Sequence, residues 1–355
     1  AVGLYMERCI GMLVGMLGIL KAGAAYVPLD PQQPVIRLAS MISSANVCVV
    51  VTAAALPQGL PAELRAVSFD AQPQEVAPDR FDAPFAYVMF TSGSSGIPKG
   101  VQLPHSAAVS VLKWVCRFFA SSHTTRFLQS TTFTFDISVP EIFSALMAGG
   151  CTVLSPDNVL TDMGGLAYHV RRHSVTEIGL VPSVLAAFAD DQPVPWQLRN
   201  VLACGEVLSP QACDSAFAHA EGATRIWNLY GPTESAVYSH YAQVDPSDCC
   251  RPSLPIGKPF EGRTSYVLDE QQHIVPMGVA GELYIGGEGL AAGYIGQDKA
   301  SQAFATWSAE DSVSARVYRT GDTVRYGPDG RLHFIGRSDN QVKIRGLRIE
   351  LGEIE

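Results

Sequence analysis

From residue 1 to about residue 241, short β-rich runs alternate with helical patterns, and this alternation restricts the chain to layered α/β architecture. The candidate strands are residues 47–51, 86–90, 152–154, 178–181, 201–203 and 225–227. Between them, Ser106 reads as the cap of a helix running toward Phe119, and Ser209 with Pro210 opens another toward Ala220 in the N-cap and N1 positions. In such sheets the loops at strand ends carry the chemistry. After Asp245 the texture changes to short strands between Gly, Pro and Asp turns, at residues 264–268, 282–285, 323–326, 332–335 and 342–344, as in a small barrel or sandwich. Gly327-Pro328-Asp329-Gly330 is a hairpin signal, Pro presetting φ and Gly accepting positive φ. Three units are expected: an α/β core at 1–241, a β-rich subdomain at 242–338, and a charged stretch at 339–355 that begins another unit.

With 355 residues, 47% of them apolar, the chain can bury a large core. A net charge of −9 without a Lys/Arg cluster excludes a nucleic-acid surface and favours small-molecule chemistry. The apolar stretch 9–20 carries glycines at 11 and 15, but Lys21 ends it short of the ~18 residues a membrane span needs, so a buried helix is expected and no membrane partner. The first residues lack the charged n-region and small-residue cleavage site expected of a signal peptide, and eight scattered cysteines without a C-x-x-C pair suggest reduced thiols in a cytoplasmic setting.

The segment F-T-S-G-S-S-G-I-P-K-G at residues 90–100 follows a strand-like run and suits phosphate. Glycines at 93 and 96 let backbone N–H groups turn toward an anion, the hydroxyls of Thr91, Ser92, Ser94 and Ser95 add donors, and Lys99 adds charge. It is not a Walker A loop, because Pro98 precedes the lysine and Gly100 follows it. An ordinary surface turn is the competing reading. In N-L-Y-G-P-T-E, residues 228–234, Tyr230 can stack on a base and Glu234 can hold a hard cation, since Mg²⁺ takes one or two carboxylates plus phosphate oxygens. Y-R-T-G-D, residues 318–322, places an acid after a tight turn, where it can accept ribose hydroxyls.

L-K-A-G-A-A-Y-V-P-L-D at 20–30, the loop at 90–100, F-D-I-S at 135–138, N-L-Y-G-P-T-E, G-E-L-Y-I-G-G-E-G-L-A-A-G-Y-I at 281–295, Y-R-T-G-D, and G-R-S-D-N-Q-V-K-I-R-G-L-R-I-E-L-G-E-I-E at 336–355 occur in this order. Together they closely resemble the adenylation domain of nonribosomal peptide synthetases, within the adenylate-forming superfamily. The resemblance spans essentially the whole chain. It implies a layered α/β core with a smaller β-barrel-like subdomain and a mobile C-terminal lid that is essentially absent.

The implied activity is ATP- and Mg²⁺-dependent conversion of an amino acid to aminoacyl-AMP with release of pyrophosphate, then loading onto the phosphopantetheine thiol of a peptidyl carrier protein among neighbouring synthetase modules. The resemblance assigns Thr91, Ser92, Gly93, Ser94, Ser95, Gly96 and Lys99 to the β- and γ-phosphates, Thr233 to the α-phosphate and Glu234 to Mg²⁺. It places Gly205, Glu206, Asn228 and Tyr230 around adenine, Asp322 on the ribose, Arg337 nearby, and His105 near the substrate carboxylate, where a helix-entry role is the other reading. The resemblance pairs Asp136 of F-D-I-S with the substrate ammonium, in keeping with the cost of a buried carboxylate without a cation. The rest of the pocket maps to Ile137, Pro140, Gly179, Leu202, Cys204, Leu229, Val237 and Tyr238; none is charged, which favours an apolar substrate, with Gly179 opening space beneath it. Asp339 is the implied hinge. The lid's catalytic lysine and the family's opening motif are expected to lie outside these residues, so the piece alone is expected to bind ATP weakly and adenylate poorly.

Two rivals remain: an acyl- or aryl-CoA ligase, whose pocket does not need Asp136, and a catalytically incompetent nucleotide-binding module. Other motifs carry little. Gly287, Gly289 and Ala292 imitate a dinucleotide fingerprint without the βαβ unit it requires. His169 and His173 have metal-compatible spacing, but Arg171 and Arg172 lie between them and no third ligand is evident. No G-x-S-x-G elbow occurs.

Overall fold

The computed structural model describes residues 1–69, 84–93, 98–191, 197–220, 224–296, 303–308, 314–339, 341–344 and 346–350. Strands β1 (Val2–Tyr5), β2 (Tyr26–Leu29), β3 (Val49–Thr52), β4 (Arg65–Ser68), β5 (Phe85–Thr91) and β6 (Lys99–Pro104) form the first sheet in the order β6-β5-β2-β1-β3-β4. All but β6 run parallel to their neighbours. The second sheet contains β7 (Arg126–Gln129), β8 (Cys151–Leu154), β9 (Glu177–Leu180), β10 (Asn200–Ala203), β11 (Arg225–Tyr230), β12 (His240–Val244) and β13 (Lys258–Pro259), in the order β13-β12-β11-β10-β9-β7-β8. Every residue of β2, β9 and β10 is buried, as expected of parallel strands covered on both faces.

The covering helices are α1 (Ile10–Lys21), α2 (Val35–Ser44), α3 (His105–Phe118), α4 (Ser138–Met147), α5 (Met163–Arg172), α6 (Pro182–Asp191) and α7 (Pro210–His219). α7 begins as its sequence suggests: the Ser209 hydroxyl accepts from Ala212 N at 3.1 Å and Pro210 occupies the first turn. α3 does not start at Ser106. Its N-cap is Pro104, without a side-chain cap, because the chain passes straight from β6 into the helix at His105. α1 is buried on one side only: Met12, Gly15, Met16 and Ile19 face the sheet, while Ile10, Val14 and Leu17 are exposed. Gly15 permits close packing, since a Cβ there would lie 2.7 Å from Leu4 Cδ1.

The remaining strands are β14 (Arg263–Leu268), β15 (Gly281–Gly287), β16 (Gly293–Tyr294), β17 (Phe304–Trp307), β18 (Ala315–Tyr326), β19 (Leu332–Arg337), β20 (Gln341–Ile344) and β21 (Leu347–Glu350). β14, β15, β17, β18 and β19 form an antiparallel sheet, β20 and β21 form a hairpin, and β16 returns to pair with β6 of the first sheet. The turn 327–330 joins β18 to β19 with Gly330 at φ +71°, as read from its residues. The boundary expected at 241/242 falls inside β12, which hydrogen-bonds to β11 and carries the second sheet on to β13. One apolar cluster joins all three sheets, running from Leu4 and Met16 through Val111 and Val115 to Leu202 and Leu229, and on to Leu283, Val324 and Leu332. Among the described residues, no helix is long and apolar enough to cross a membrane, and all eight cysteines are free thiols.

Candidate active site

A cavity of about 270 Å³ lies where the C-terminal ends of parallel strands in both α/β sheets meet the β subdomain, as the general rule for open α/β sheets anticipates. The end of β5 brings Thr91 and Ser92, and the loop before α4 brings Asp136 and Ile137. The turns after β10 and β11 bring Cys204, Gly205, Thr233 and Val237, while β18 and β19 bring Asp322 and Arg337. Ten sequence-predicted residues thus share one space.

Asp322 owes its position to an irregular strand rather than to the tight turn expected. Residues 318–322 lie within β18, whose pairing with β15 shifts register between Glu282 and Tyr284. The bulge re-aims the side chain into the cavity. Gly321 takes φ +73° there, and a Cβ on it would stand 2.8 Å from Arg337 Nη2. Asp322 Oδ2 accepts from the Tyr230 hydroxyl at 2.5 Å, and Oδ1 accepts from Arg337 Nη1 at 2.7 Å. Arg337 also donates through Nε and Nη2 to both oxygens of Asp339, each at 2.6 Å. Burial and the neighbouring Asp322 carboxylate raise the Tyr230 pKa well above its ordinary value, so its hydroxyl stays a donor.

The other predicted nucleotide residues lie around this wall. Glu206 accepts from Ser183 N and Gly346 N, both at 2.9 Å, and so ties α6 and the β20–β21 turn to the end of β10. Asn228 is buried and donates to Pro255 O at 2.8 Å. Thr233 and Glu234 form a short 3₁₀ turn after β11. Glu234 is 1% exposed and accepts from the Tyr294 hydroxyl at 2.6 Å; unlike Thr233 it is not on the cavity lining. Lys99 pairs with Thr91 across the β5–β6 hairpin, and its ammonium lies 5.9 Å from the Tyr294 ring centre, away from the lining. His105 opens α3 and is likewise off the lining. Gly93 is described but does not line the cavity, and Ser94, Ser95 and Gly96 lie outside the described residues.

On the substrate side, Asp136 is 9% exposed at the cavity wall, where Ile137, Cys204 and Val237 join it. Pro140, Gly179, Leu202, Leu229 and Tyr238 do not line the cavity. The space beneath Gly179 is not open. A Cβ there would meet Glu141 Oε1 at 2.9 Å, so the glycine makes room for a buried carboxylate. Glu141 accepts from Ser130 N, Thr131 N and the Thr131 hydroxyl, and burial lifts its pKa to about 7. An acid in the first turn of apolar α4 was the available signal for it. Gln33 and Arg37 line the cavity from outside the sequence motifs, and Thr320 lines it from within the 318–322 motif.

The family described as "AMP-binding enzyme" matches residues 1–295. The chain belongs to that family. As an AMP-binding enzyme it has strong homology to the adenylation domains of nonribosomal peptide synthetases. It is 40% identical over 362 residues to a linear gramicidin synthase of Brevibacillus parabrevis, covering 100% of this chain and 4% of that protein. Malpinin synthetase of Mortierella alpina is 40% identical over 366 residues, again covering 100% of this chain and 5% of the relative. The chain therefore spans a small fraction of the curated relatives it matches. Among solved structures, a four-domain nonribosomal peptide synthetase bound to AMP and glycine superimposes with a TM-score of 0.86 at 36% identity, covering 100% of this chain and 26% of its own. A protein containing adenylation and carrier domains, bound to a vinylsulfonamide inhibitor, gives a TM-score of 0.89 at 30% identity, covering 100% and 62%.

Proposed function

We propose that the protein activates the carboxylate of an α-amino acid with ATP, forming aminoacyl-AMP and pyrophosphate, for loading onto the phosphopantetheine thiol of a peptidyl carrier domain in a multimodular synthetase. The supporting observation is the single cavity shared by Asp136, Thr91, Ser92 and the Asp322–Arg337 pair. An ammonium held at Asp136 and a ribose held at Asp322 leave the substrate carboxylate and the α-phosphate in the space between, which makes the meeting of two anions an intramolecular event. The carboxylate oxygen attacks the α-phosphorus, and the bond to the bridging oxygen breaks, so that pyrophosphate leaves with the electron pair. The carrier thiolate then attacks the acyl carbon, and AMP departs.

In this reading the hydroxyls of Thr91 and Ser92 and the Gly93 N–H steady the β- and γ-phosphates, with Ser94, Ser95, Gly96 and Lys99 completing the loop. Thr233 faces the α-phosphate. Glu206, Asn228 and Tyr230 brace the wall beside Gly205 where adenine rests. One carboxylate next to a hydroxyl, Glu234 beside Thr233, suits Mg²⁺, which takes few protein oxygens and keeps phosphate oxygens as its other ligands. When bound, the ion neutralises phosphate charge. Asp339 acts as the hinge through its grip on Arg337. Ile137, Cys204 and Val237 select an apolar side chain, with Pro140, Leu202, Leu229 and Tyr238 fixing their positions.

Exchange of labelled pyrophosphate into ATP by the full-length protein tests the reading, using a panel of amino, fatty and aryl acids. Exchange driven by one or a few apolar amino acids is expected. Exchange with fatty or aryl acids alone would instead indicate an acyl- or aryl-CoA ligase, and none with any acid a nucleotide-binding module without catalysis.

A further inference from the structure

We propose that Arg37 is a polyphosphate contact whose guanidinium binds the β- and γ-phosphates of ATP and the pyrophosphate they become; this rests on the function proposed above. Arg37 lies in the first turn of α2, directly after β2. β2 is the parallel neighbour of β5 in the first sheet, Tyr26 pairing with Tyr87, so the start of α2 and the start of the phosphate loop leave the same sheet edge side by side. Leu38, Met41 and Ile42 of α2 pack with Val88, and Phe90 joins the same apolar cluster, which fixes the helix against the end of β5. Arg37 and Met41 are one helical turn apart and therefore share a face. Both line the cavity alongside Phe90, Thr91 and Ser92.

The distribution of charge points to the same residue. Among the described residues that line the cavity, the cationic side chains are Arg37 and Arg337. Arg337 stands at the ribose end, hydrogen-bonded to Asp322 and Asp339. Lys99, the cation that the motif supplies, lies off the lining beside Tyr294. Arg37 is then the lining cation, among the described residues, at the end where Thr91 and Ser92 stand. A departing pyrophosphate gathers negative charge, and a planar guanidinium matches phosphate oxygens with paired N–H donors. Gln33 lines the same end, and its amide oxygen is buried without a hydrogen-bond partner, a capacity that ligand binding can fill.

Calorimetric titration of the full chain with ATP, AMP and inorganic pyrophosphate separates this contact from a packing role. Arg37→Ala is expected to weaken ATP and pyrophosphate binding ~10-fold or more while AMP affinity and the melting temperature stay unchanged, with Arg37→Lys intermediate. Equal losses for ATP and AMP, or no loss for either, would overturn the proposal while leaving the function intact. Failure of the wild-type chain to bind ATP and AMP would overturn both. Unchanged ATP and pyrophosphate affinities together with a raised KM for the carrier protein would transfer the contact to the phosphopantetheine phosphate and refute the assignment.

Discussion

The two ends of the second sheet bury polar groups in opposite ways. At the C-terminal ends of β10 and β11 the chain turns through Gly205 and Thr233, and its polar groups face a cavity. At the N-terminal ends the polar groups close on one another: Asn200 Nδ2 donates to Glu177 Oε1 at 3.1 Å, and Asn200 Oδ1 accepts from Trp227 Nε1 at 2.9 Å. Arg199 approaches Glu177 from the surface at 3.8 Å. Both ends hold a buried carboxylate, Asp136 at one and Glu177 at the other. Burial alone therefore does not mark a site. What separates the two is access: Asp136 borders open space, whereas Glu177 is enclosed by its own strand neighbours.

The contrast is sharpest in the response to substitution. Asp136→Ala is expected to reduce amino acid-dependent pyrophosphate exchange by ~100-fold or more, since removing the partner of a desolvated ammonium leaves that charge uncompensated, with the urea midpoint nearly unchanged. Retained exchange would remove Asp136 from the substrate site. Asn200→Ala should do the reverse, costing about 2–4 kcal/mol in urea unfolding by stripping Trp227 and Glu177 of partners, with both KM values preserved.

Acidity tests the closed end further. Burial raises the Glu177 pKa from 4.5 to about 7, so between these values the folded state binds more protons than the unfolded state. Stability contributed by the protonated form is full below about pH 4.5 and declines as pH rises toward 7. Glu177→Gln, which mimics the neutral acid, should remove about 2–3 kcal/mol of that decline, read as unfolding free energy at pH 5 and pH 8. Identical pH slopes in the two proteins would contradict the assignment. Glu141, raised to about 7 by the same cause, leaves a residual slope in the variant. The smallest effect belongs to Tyr230→Phe, which deletes the bond to Asp322 and should raise the KM for ATP roughly 5- to 10-fold, about 1 kcal/mol, without moving the KM for the amino acid.

These contrasts also show which features the sequence could reveal. Local chemistry was readable: the Ser209 cap, the 327–330 hairpin and strands β3, β5, β8, β9, β10 and β11 follow from side chains adjacent in the chain, whereas short strands such as β1, β2 and β7 carried no comparable local signal. The 90–100 loop and Asp136 stood out as candidates through the order of motifs. Contacts between distant segments were not. Glu141 fills the space behind Gly179 only because α4 packs on β7, the sheet neighbour of β9, and Arg37 reaches the cavity only because β2 and β5 are neighbours. The bulge at Asp322 was hidden for a related reason, since Thr-Gly-Asp suits a turn as well as an irregular strand and pairing with β15 decides between them. The division at 241/242 falls within β12, since a change in turn composition need not coincide with the edge of a hydrogen-bonded sheet.

A crystal structure with the sulfamoyl-adenosine analogue of the amino acid that supports exchange tests the central claim most directly. The account predicts the ribose hydroxyls on Asp322, the ammonium on Asp136 and the sulfamoyl group beside Thr233. A ligand seated outside this cavity, or one whose ammonium lies away from Asp136, would contradict it.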